Sequence, residues 1–155
     1  MDARGRERRL ADARRMGYVQ PTHQRSSIMA AVKRTDTKPE IALRKALHAA
    51  GYRFRKDYLI RVDGRLIRPD IAFTKRRVAV FVDGCYWHYC PLHRQIPATN
   101  TPFWTQKLIA NAQRDRLQDE LLAGAGWHVL RVWEHEQVET AVESIASVLT
   151  EYGSA

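Results

Sequence analysis

The segment RVAVFVDG, residues 77–84, decides the fold. Its five consecutive apolar residues are mostly β-branched or aromatic, so they predict a strand buried on both faces. Such a strand needs a covering layer above and below, which indicates an α/β domain. Downstream, residues 101–123 predict a long helix and residues 127–133 (WHVLRVW) predict another strand. A helix between two strands of one sheet is a crossover, so these two strands are expected to be parallel.

Upstream of this segment, the pattern predicts one helix and two more strands. Thr37 and Glu40 have the spacing of a capping box, and an apolar side follows until Gly51, so a helix is expected from about residue 38. Two strands are expected after the helix, at residues 52–55 and at residues 66–73. A turn at residues 63–64 lies between them.

A final helix is indicated by apolar residues at spacings of three and four, at Val138, Val142, Ile145 and Leu149. The predicted order is α-β-β-β-α-β-α, in which a mixed sheet is flanked by helices. The length of 155 residues suits one domain. We assign residues 1–26 to a basic N-terminal arm that DNA would order, and residues 27–155 to the folded domain.

Positive charge is concentrated in the first half of the chain. Residues 1–77 hold 21 basic and 8 acidic side chains, whereas residues 78–155 hold 5 and 9, and the whole chain has a formal net charge of +9. Basic surfaces bind phosphates of any base sequence because binding releases counterions. Nucleic acid is therefore the favoured partner, with simple solubility as the alternative.

No segment has the composition of a membrane span or a secretory signal. The longest apolar runs, such as residues 78–82, are far shorter than the roughly 20 residues that a membrane helix needs. The first twenty residues hold six Arg and no apolar run. We therefore expect a protein of the reducing cytoplasm without a membrane partner.

Two acidic residues stand out in the predicted strands. Asp70 lies in an otherwise apolar segment, where an unpaired carboxylate is costly to bury, so a metal ion or an ion pair with Arg68 must explain it, unless it caps a turn beside Pro69. Asp83 ends the central strand, and two such acids can hold Mg²⁺ through hard oxygen ligands. This is the layout of the PD-(D/E)xK nucleases, although Cys85 stands where their motif has Lys.

Four residues of the chain could form a zinc site: Cys85, Cys90, His93 and His135. Two thiolates and two imidazoles would complete a tetrahedral shell without an open position, so such a zinc would be structural. The alternative is two ordinary cytosolic thiols and scattered histidines. The long sequence separation of His135 leaves both interpretations open.

The loop between the central strand and the long helix contains Tyr86, Trp87 and His88 without core periodicity. Two exposed rings could wedge between base pairs, where each stacking contact contributes about 1 to 3 kcal/mol. Trp104, early in the long helix, is a third candidate wedge. Core packing of the rings, with a satisfied hydrogen bond for His88, is the alternative.

Asp115 is the most informative polar residue of the long helix. It shares a helix face with Asn111, Trp104 and Leu108. A second stripe is predicted at Phe103, Ala110, Leu117 and Leu121. No basic residue lies three or four positions from Asp115, so an intrahelical ion pair is not available. A carboxylate facing the loop could instead orient a histidine and raise its basicity.

Taken together, these residues resemble the very short patch repair (Vsr) endonuclease family. The matching segments are 68–70 (RPD), 81–88 (FVDGCYWH), 97–99 (PAT), 103–104 (FW), 111, 114–115 (RD), 126–127 (GW) and 132–134 (VWE). They occur in order and with compatible spacing over roughly residues 22–136. The match is far more specific than any single motif, and residues 1–21 lie outside it.

The resemblance implies a restriction-endonuclease-like fold and a Mg²⁺-dependent enzyme. Family members nick DNA on the 5′ side of the mispaired T in a T:G mismatch, the lesion left when 5-methylcytosine deaminates. The resemblance makes Asp70 and the Val82 backbone carbonyl the magnesium ligands. It makes His88 the general base for water and Asp115 its orienting acid. Glu40 matches a Glu near the active site on the family's N-terminal helix, although capping alone also explains it.

The resemblance also implies roles outside the catalytic group. Tyr86, Trp87 and Trp104 match aromatic residues that intercalate beside the mismatch, and the Cys/His group matches a structural zinc site. Arg68 and Asn111 are assigned to DNA binding or to support of the site.

Two departures from the family pattern stand out. Asp83 occupies a position that is His in some family members, so metal binding, water binding and turn shaping all stay open for it. His135 occupies a position that is Cys in some members.

Three functions are compatible with the sequence. The first is the mismatch endonuclease, a monomer acting on nucleoid DNA in the bacterial cytoplasm, with mismatch-repair proteins as candidate partners. The second is a PD-(D/E)xK nuclease without mismatch preference, either restriction-associated or junction-processing. The third is a zinc-stabilised DNA-binding module without catalysis.

Overall fold

A computed structural model of the protein describes residue 19 and residues 35–93 and 95–152. Within these residues lie three helices, α1 (Lys38–Ala49), α2 (Thr101–Gly124) and α3 (Val138–Glu151). The strands are β1 (Arg55–Lys56), β2 (Ile60–Val62), β3 (Arg65–Ile67), β4 (Ile71–Phe73), β5 (Val78–Asp83) and β6 (His128–Trp133). The predicted arm, apart from Val19, lies outside the described residues.

The main sheet has four strands in the order β1-β4-β5-β6. β4 pairs antiparallel with β1 and β5, whereas β5 and β6 are parallel over their whole length. Helix α2 makes the crossover between the parallel strands, as predicted. A separate hairpin of β2 and β3 forms a second, two-stranded sheet. The predicted α/β fold, a mixed sheet flanked by helices, is confirmed.

The central strand β5 separates two apolar cores. Val78 and Val80 pack with α1 and α3 on one face. Ala79 and Phe81 pack on the other face with the β2–β3 hairpin and with Leu122 of α2. Alternate residues of a strand point to opposite faces, so a continuous apolar run is what a strand covered on both faces requires.

Two predicted strands differ from the observed ones. The segment 66–73 was predicted as one strand, but β3 and β4 are separated by Arg68, Pro69 and Asp70. Proline has no amide hydrogen for a ladder, and the break lets β3 pair in the hairpin while β4 joins the main sheet. The segment predicted at 52–55 is paired only from Arg55 onward.

Two predicted features of the helices are corrected. The Thr37 side chain makes no capping hydrogen bond to the backbone of α1, so the predicted capping box is incomplete. In α2 the buried residues are Leu108, Asp115 and Leu122, whereas Phe103 and Leu117 of the predicted second stripe are exposed. None of the helices among the described residues is long and apolar enough to span a bilayer.

Candidate active site and metal centre

Asp70 lies at the break before β4, facing the end of β5. Its Oδ2 accepts a hydrogen bond of 2.7 Å from the Val82 amide. No ion pair joins it to Arg68, although both residues are described, and Arg68 is exposed. Burial raises the pKa of Asp70 to about 6, and the negative charges of Glu40 and Asp83 add to the rise, although the Val82 hydrogen bond opposes it. A half-buried carboxylate that forms no ion pair with a described cation fits a site for a divalent metal ion.

The raised pKa of Asp70 predicts a pH-dependent stability of the metal-free protein. The folded-state pKa of about 6 lies above the ordinary aspartate pKa of 3.8, so folding favours the protonated form. The unfolding free energy should therefore fall as pH rises from about 4 to about 6. Asp70→Asn should stabilise the metal-free protein by roughly 2 kcal/mol at pH 7 and by much less near pH 4. Urea denaturation in chelator at both pH values measures this, and equal effects at both would contradict it.

His88 and Asp115 come together although they are 27 residues apart. His88 Nδ1 lies 2.7 Å from Asp115 Oδ2 and 3.6 Å from Asp83 Oδ1. Burial lowers the pKa of His88, but the hydrogen bond to Asp115 and the Asp83 charge outweigh it, so the pKa is raised overall. With Nδ1 donating to Asp115, the neutral ring keeps an unprotonated Nε2. The His88 side chain is 28% exposed, so water can reach it.

The two halves of the candidate site meet at the C-terminal end of β5. Asp70 is bonded to the amide of Val82, and His88 lies beside the carboxylate of the next residue, Asp83. In a strand, the N–H and C=O of one residue point to the same edge, so the Val82 carbonyl also faces the Asp70 side. The end of β5 thus brings together a candidate metal ligand pair and a candidate base.

Arg131 of β6 is a residue of the site that the sequence analysis missed. Its Nη1 donates to both oxygens of Asp83 at 2.9 Å, and its Nε and Nη2 donate to Asp119. Nη2 also donates to the Asp115 backbone carbonyl at 3.3 Å. Asp83 is therefore occupied as the partner of a guanidinium. The sequence does contain a signal for Arg131, because it is a cation among the apolar residues of the strand at 128–133. A buried cation needs an acidic partner, just as a buried carboxylate such as Asp70 needs a cation.

Glu40 is 5% exposed and is held by groups of its own helix and of the residues before it. Its Oε1 accepts from the Thr37 hydroxyl at 2.8 Å, and its Oε2 accepts from the Asp36 amide at 2.8 Å. Arg44 Nη1 lies 3.4 Å from Oε2. These contacts explain the burial of Glu40 locally, while its charge still acts on Asp70.

The Cys/His group predicted from sequence is assembled. The ligand atoms of Cys85, Cys90, His93 and His135 all lie within 4.8 Å of one another. Cys85 Sγ is 3.0 Å from His135 Nδ1, and Cys90 Sγ is 3.7 Å from His93 Nδ1. Tetrahedral zinc with ordinary bond lengths places sulfur and nitrogen ligands roughly 3.5 Å apart, so the group fits zinc. Burial and the neighbouring Cys90 raise the pKa of Cys85 to about 11, a cost that a bound cation would reverse.

Removal of metal from this group should destabilise the protein. We expect Cys90→Ala, which truncates a fully buried ligand, to lose zinc and to lower the unfolding free energy by several kcal/mol. Leu92→Ala is the matched control, because Leu92 is 77% exposed in the same loop and offers no ligand. Elemental analysis and thermal unfolding measure both effects. A parent that contains no zinc as purified, or a Cys90→Ala variant as stable as the parent, would contradict the zinc assignment.

The three candidate wedges form one aromatic cluster. The Tyr86 ring is 4.9 Å from the Trp87 ring and 5.8 Å from the Trp104 ring, and all three residues are half-buried. Lys107 Nζ lies 5.0 Å from the Trp104 ring centre and 5.3 Å from that of Trp87. Aromatic faces beside a cation are suited to stacking on bases next to a phosphate.

Asn111 joins helix α2 to the loop that contains Tyr86, Trp87 and His88. Its Nδ2 donates to the Trp87 carbonyl at 3.0 Å, and its Oδ1 accepts from Arg114 at 2.8 Å. Along α2, Asn111 lies two turns after Trp104 and one turn before Asp115, so its contact anchors the loop between these two residues. Arg68, by contrast, is exposed and is not joined to this group by a hydrogen bond within the described residues.

The chain is similar in sequence to known DNA-nicking enzymes. V.NaeI of Lentzea aerocolonigenes, a type II nicking enzyme, is 53% identical over 126 residues, which are 81% of this chain and 76% of that protein. DNA mismatch endonuclease Vsr of Escherichia coli is 38% identical over 122 residues, 77% of this chain and 74% of that protein. The sequence model of the family described as DNA mismatch endonuclease Vsr matches residues 18–94. The chain belongs to the Vsr family. The predicted resemblance is thereby confirmed.

The Vsr match begins at residue 18, so it includes part of the segment predicted as an arm. Among solved structures, the catalytic domain of homing endonuclease I-Bth0305I is similar, with a TM-score of 0.52 at 15% identity. The similarity covers 76% of this chain and 98% of that domain. It supports a nuclease-type fold for this Vsr-family chain, and the family makes the chain an endonuclease that acts on DNA.

Proposed function

We propose that this protein is a Mg²⁺-dependent mismatch endonuclease that nicks DNA 5′ of the mispaired T in a T:G pair. The observation that carries the proposal is the His88–Asp115 pair beside Asp83 at the end of β5, where the amide of the preceding residue, Val82, binds the Asp70 carboxylate. Asp70 and the Val82 carbonyl would hold the magnesium ion. When bound there, Mg²⁺ supplies positive charge against the phosphate and the leaving 3′ oxygen.

The chain's own residues account for the proton transfer. His88 Nε2 accepts a proton from the attacking water, while Asp115 holds the ring by Nδ1 and stabilises its charged form. Burial raises the pKa of Asp115, but the hydrogen bond from His88 and the His88 and Arg131 charges lower it overall, so it stays ionised. Direct attack by water forms no covalent intermediate with the protein.

The aromatic cluster is the proposed source of mismatch preference. Insertion of Tyr86, Trp87 and Trp104 at a T:G step costs less than at a T:A step, because a weak pair unstacks more easily. Zinc at the Cys/His group would fix the loop that presents Tyr86 and Trp87. We propose that the protein acts as a monomer on nucleoid DNA, with mismatch-repair proteins as candidate partners, and that residues 1–26 form a DNA-contacting arm ahead of the domain.

The test compares nicking of duplexes that differ only in one T:G or T:A pair, with the nick mapped on each strand. We expect a Mg²⁺-dependent nick 5′ of the T in the T:G duplex alone. Trp104→Ala should reduce the T:G preference by roughly 5- to 150-fold, the value of one lost stacking contact of about 1 to 3 kcal/mol. Tyr152→Ala, which removes an exposed ring directly after helix α3, is the control. If the parent protein nicked the T:G and T:A duplexes at equal rates, a nuclease without mismatch preference would be favoured.

A further inference from the structure

A basic cleft lies at the opposite end of β4 from Asp70. It has a volume of about 490 Å³ between residues 51–55 and residues 72–76. Strand β1 pairs with β4 only at Arg55 and Lys56, so the chain from Gly51 to Phe54 diverges from β4 and opens this space.

The cleft carries four cations, Arg53, Arg55, Lys75 and Arg76. All four are exposed, and none forms an ion pair with an acid of the part of the chain that the structure describes. Arg53 donates to the Tyr52 carbonyl and Arg55 lies over the Tyr58 ring, so these two are positioned by their own segment. Lys56 of the same strand, by contrast, is paired with Asp36. Four clustered cations without acids are suited to an anion with several charges.

The position of the cleft agrees with the path of a duplex. Asp70 and Thr74 stand at opposite ends of β4, which places them roughly 13 Å apart at strand spacing. Phosphates on one DNA strand advance about 3.4 Å along the helix axis for each base pair. A duplex that runs along β4 with its scissile phosphate at Asp70 would therefore place phosphates about four base pairs away within reach of the cleft.

We propose that the basic cleft binds the phosphate backbone of duplex DNA about four base pairs from the nick, irrespective of base sequence. This inference rests on the proposed function in taking duplex DNA as the substrate and Asp70 as the position of the nick. Lys75 and Arg76 are the residues to test, because they lie in the exposed turn between β4 and β5. Their side chains have no hydrogen bond to another described residue.

The experiment measures the dissociation constant of the full chain for a matched T:A duplex against salt concentration, without Mg²⁺ so that nothing is cleaved. For Lys75→Gln/Arg76→Gln, the slope of log affinity against log salt should fall in magnitude by about 1 to 2. Arg76→Gln alone should lower it by about 1, whereas Lys45→Gln, which removes one exposed charge of α1, should not. Unchanged melting temperatures exclude a folding defect.

Duplexes trimmed on each flank locate the contact. On a T:G duplex, in which the mismatch sets the position of the nick, with fewer than about four base pairs left on the flank that reaches the cleft, the parent and the double variant should bind equally. The cleft could instead bind free phosphate ions, and binding of inorganic phosphate tests this alternative. A double variant that loses phosphate binding but keeps its DNA slope would overturn the proposal. An unchanged slope, or an equal loss with Lys45→Gln, would overturn it as well. Mismatch preference does not enter the salt slope on the matched duplex, so that measurement stands apart from the nicking test.

Discussion

Asp70→Asn is expected to reduce the rate of DNA nicking by about 10³-fold at saturating Mg²⁺. The substitution keeps the size of the side chain and its hydrogen bond from Val82, but it removes the negative charge that would hold the metal ion. Loss of several kcal/mol of charge stabilisation in the transition state corresponds to a factor of this order. Single-turnover nicking of a T:G duplex measures the rate.

Asp63→Asn is the matched control for Asp70→Asn. Asp63 is an exposed carboxylate in the turn of the β2–β3 hairpin, with a φ of 46° that Asn also adopts readily. It should leave the nicking rate within about twofold of the parent, since exposed substitutions away from a site change little. An Asp70→Asn variant as active as Asp63→Asn would mean that Asp70 does not hold the metal ion.

His88→Ala is expected to slow nicking by about 10³-fold, within the range of a lost general base. DNA binding should change little, because the ring is proposed to act on the water. His128→Gln is the control, since His128 lies at the start of β6, at the other end of the sheet, where it stacks on Tyr152. If the His88→Ala rate matched that of His128→Gln, another group would have to be the base.

Sequence patterns predicted the helices and strands whose type is set by their own local residues. The apolar run of β5, the crossover helix and the parallel partner β6 follow from local pattern and chain connection. The division of residues 66–73 into two strands did not follow. Their apolar content suits either sheet, and the choice depends on what Ile67 and Ile71 pack against in the fold.

The candidate site could be predicted at charged residues that have no partner of opposite charge among their sequence neighbours. Asp70 in an apolar segment and Asp115 without a helical cation both lacked a local partner, and each lies at the end of β5. Arg131 belongs to the same class, yet its acids come from β5 and α2, far away in sequence. The basic cleft was hidden for a similar reason, because it forms only when residues 51–55 lie beside residues 72–76.

The central claim is that His88 and Asp115 act as one unit in water activation, and a double-mutant cycle tests it most directly. Single-turnover nicking of the T:G duplex should be measured for Asp115→Asn, for His88→Ala and for the double variant. If Asp115 acts only through His88, the double variant should be no more than about threefold slower than His88→Ala. Losses that multiply in the double variant would contradict the account, because the two residues would then act independently.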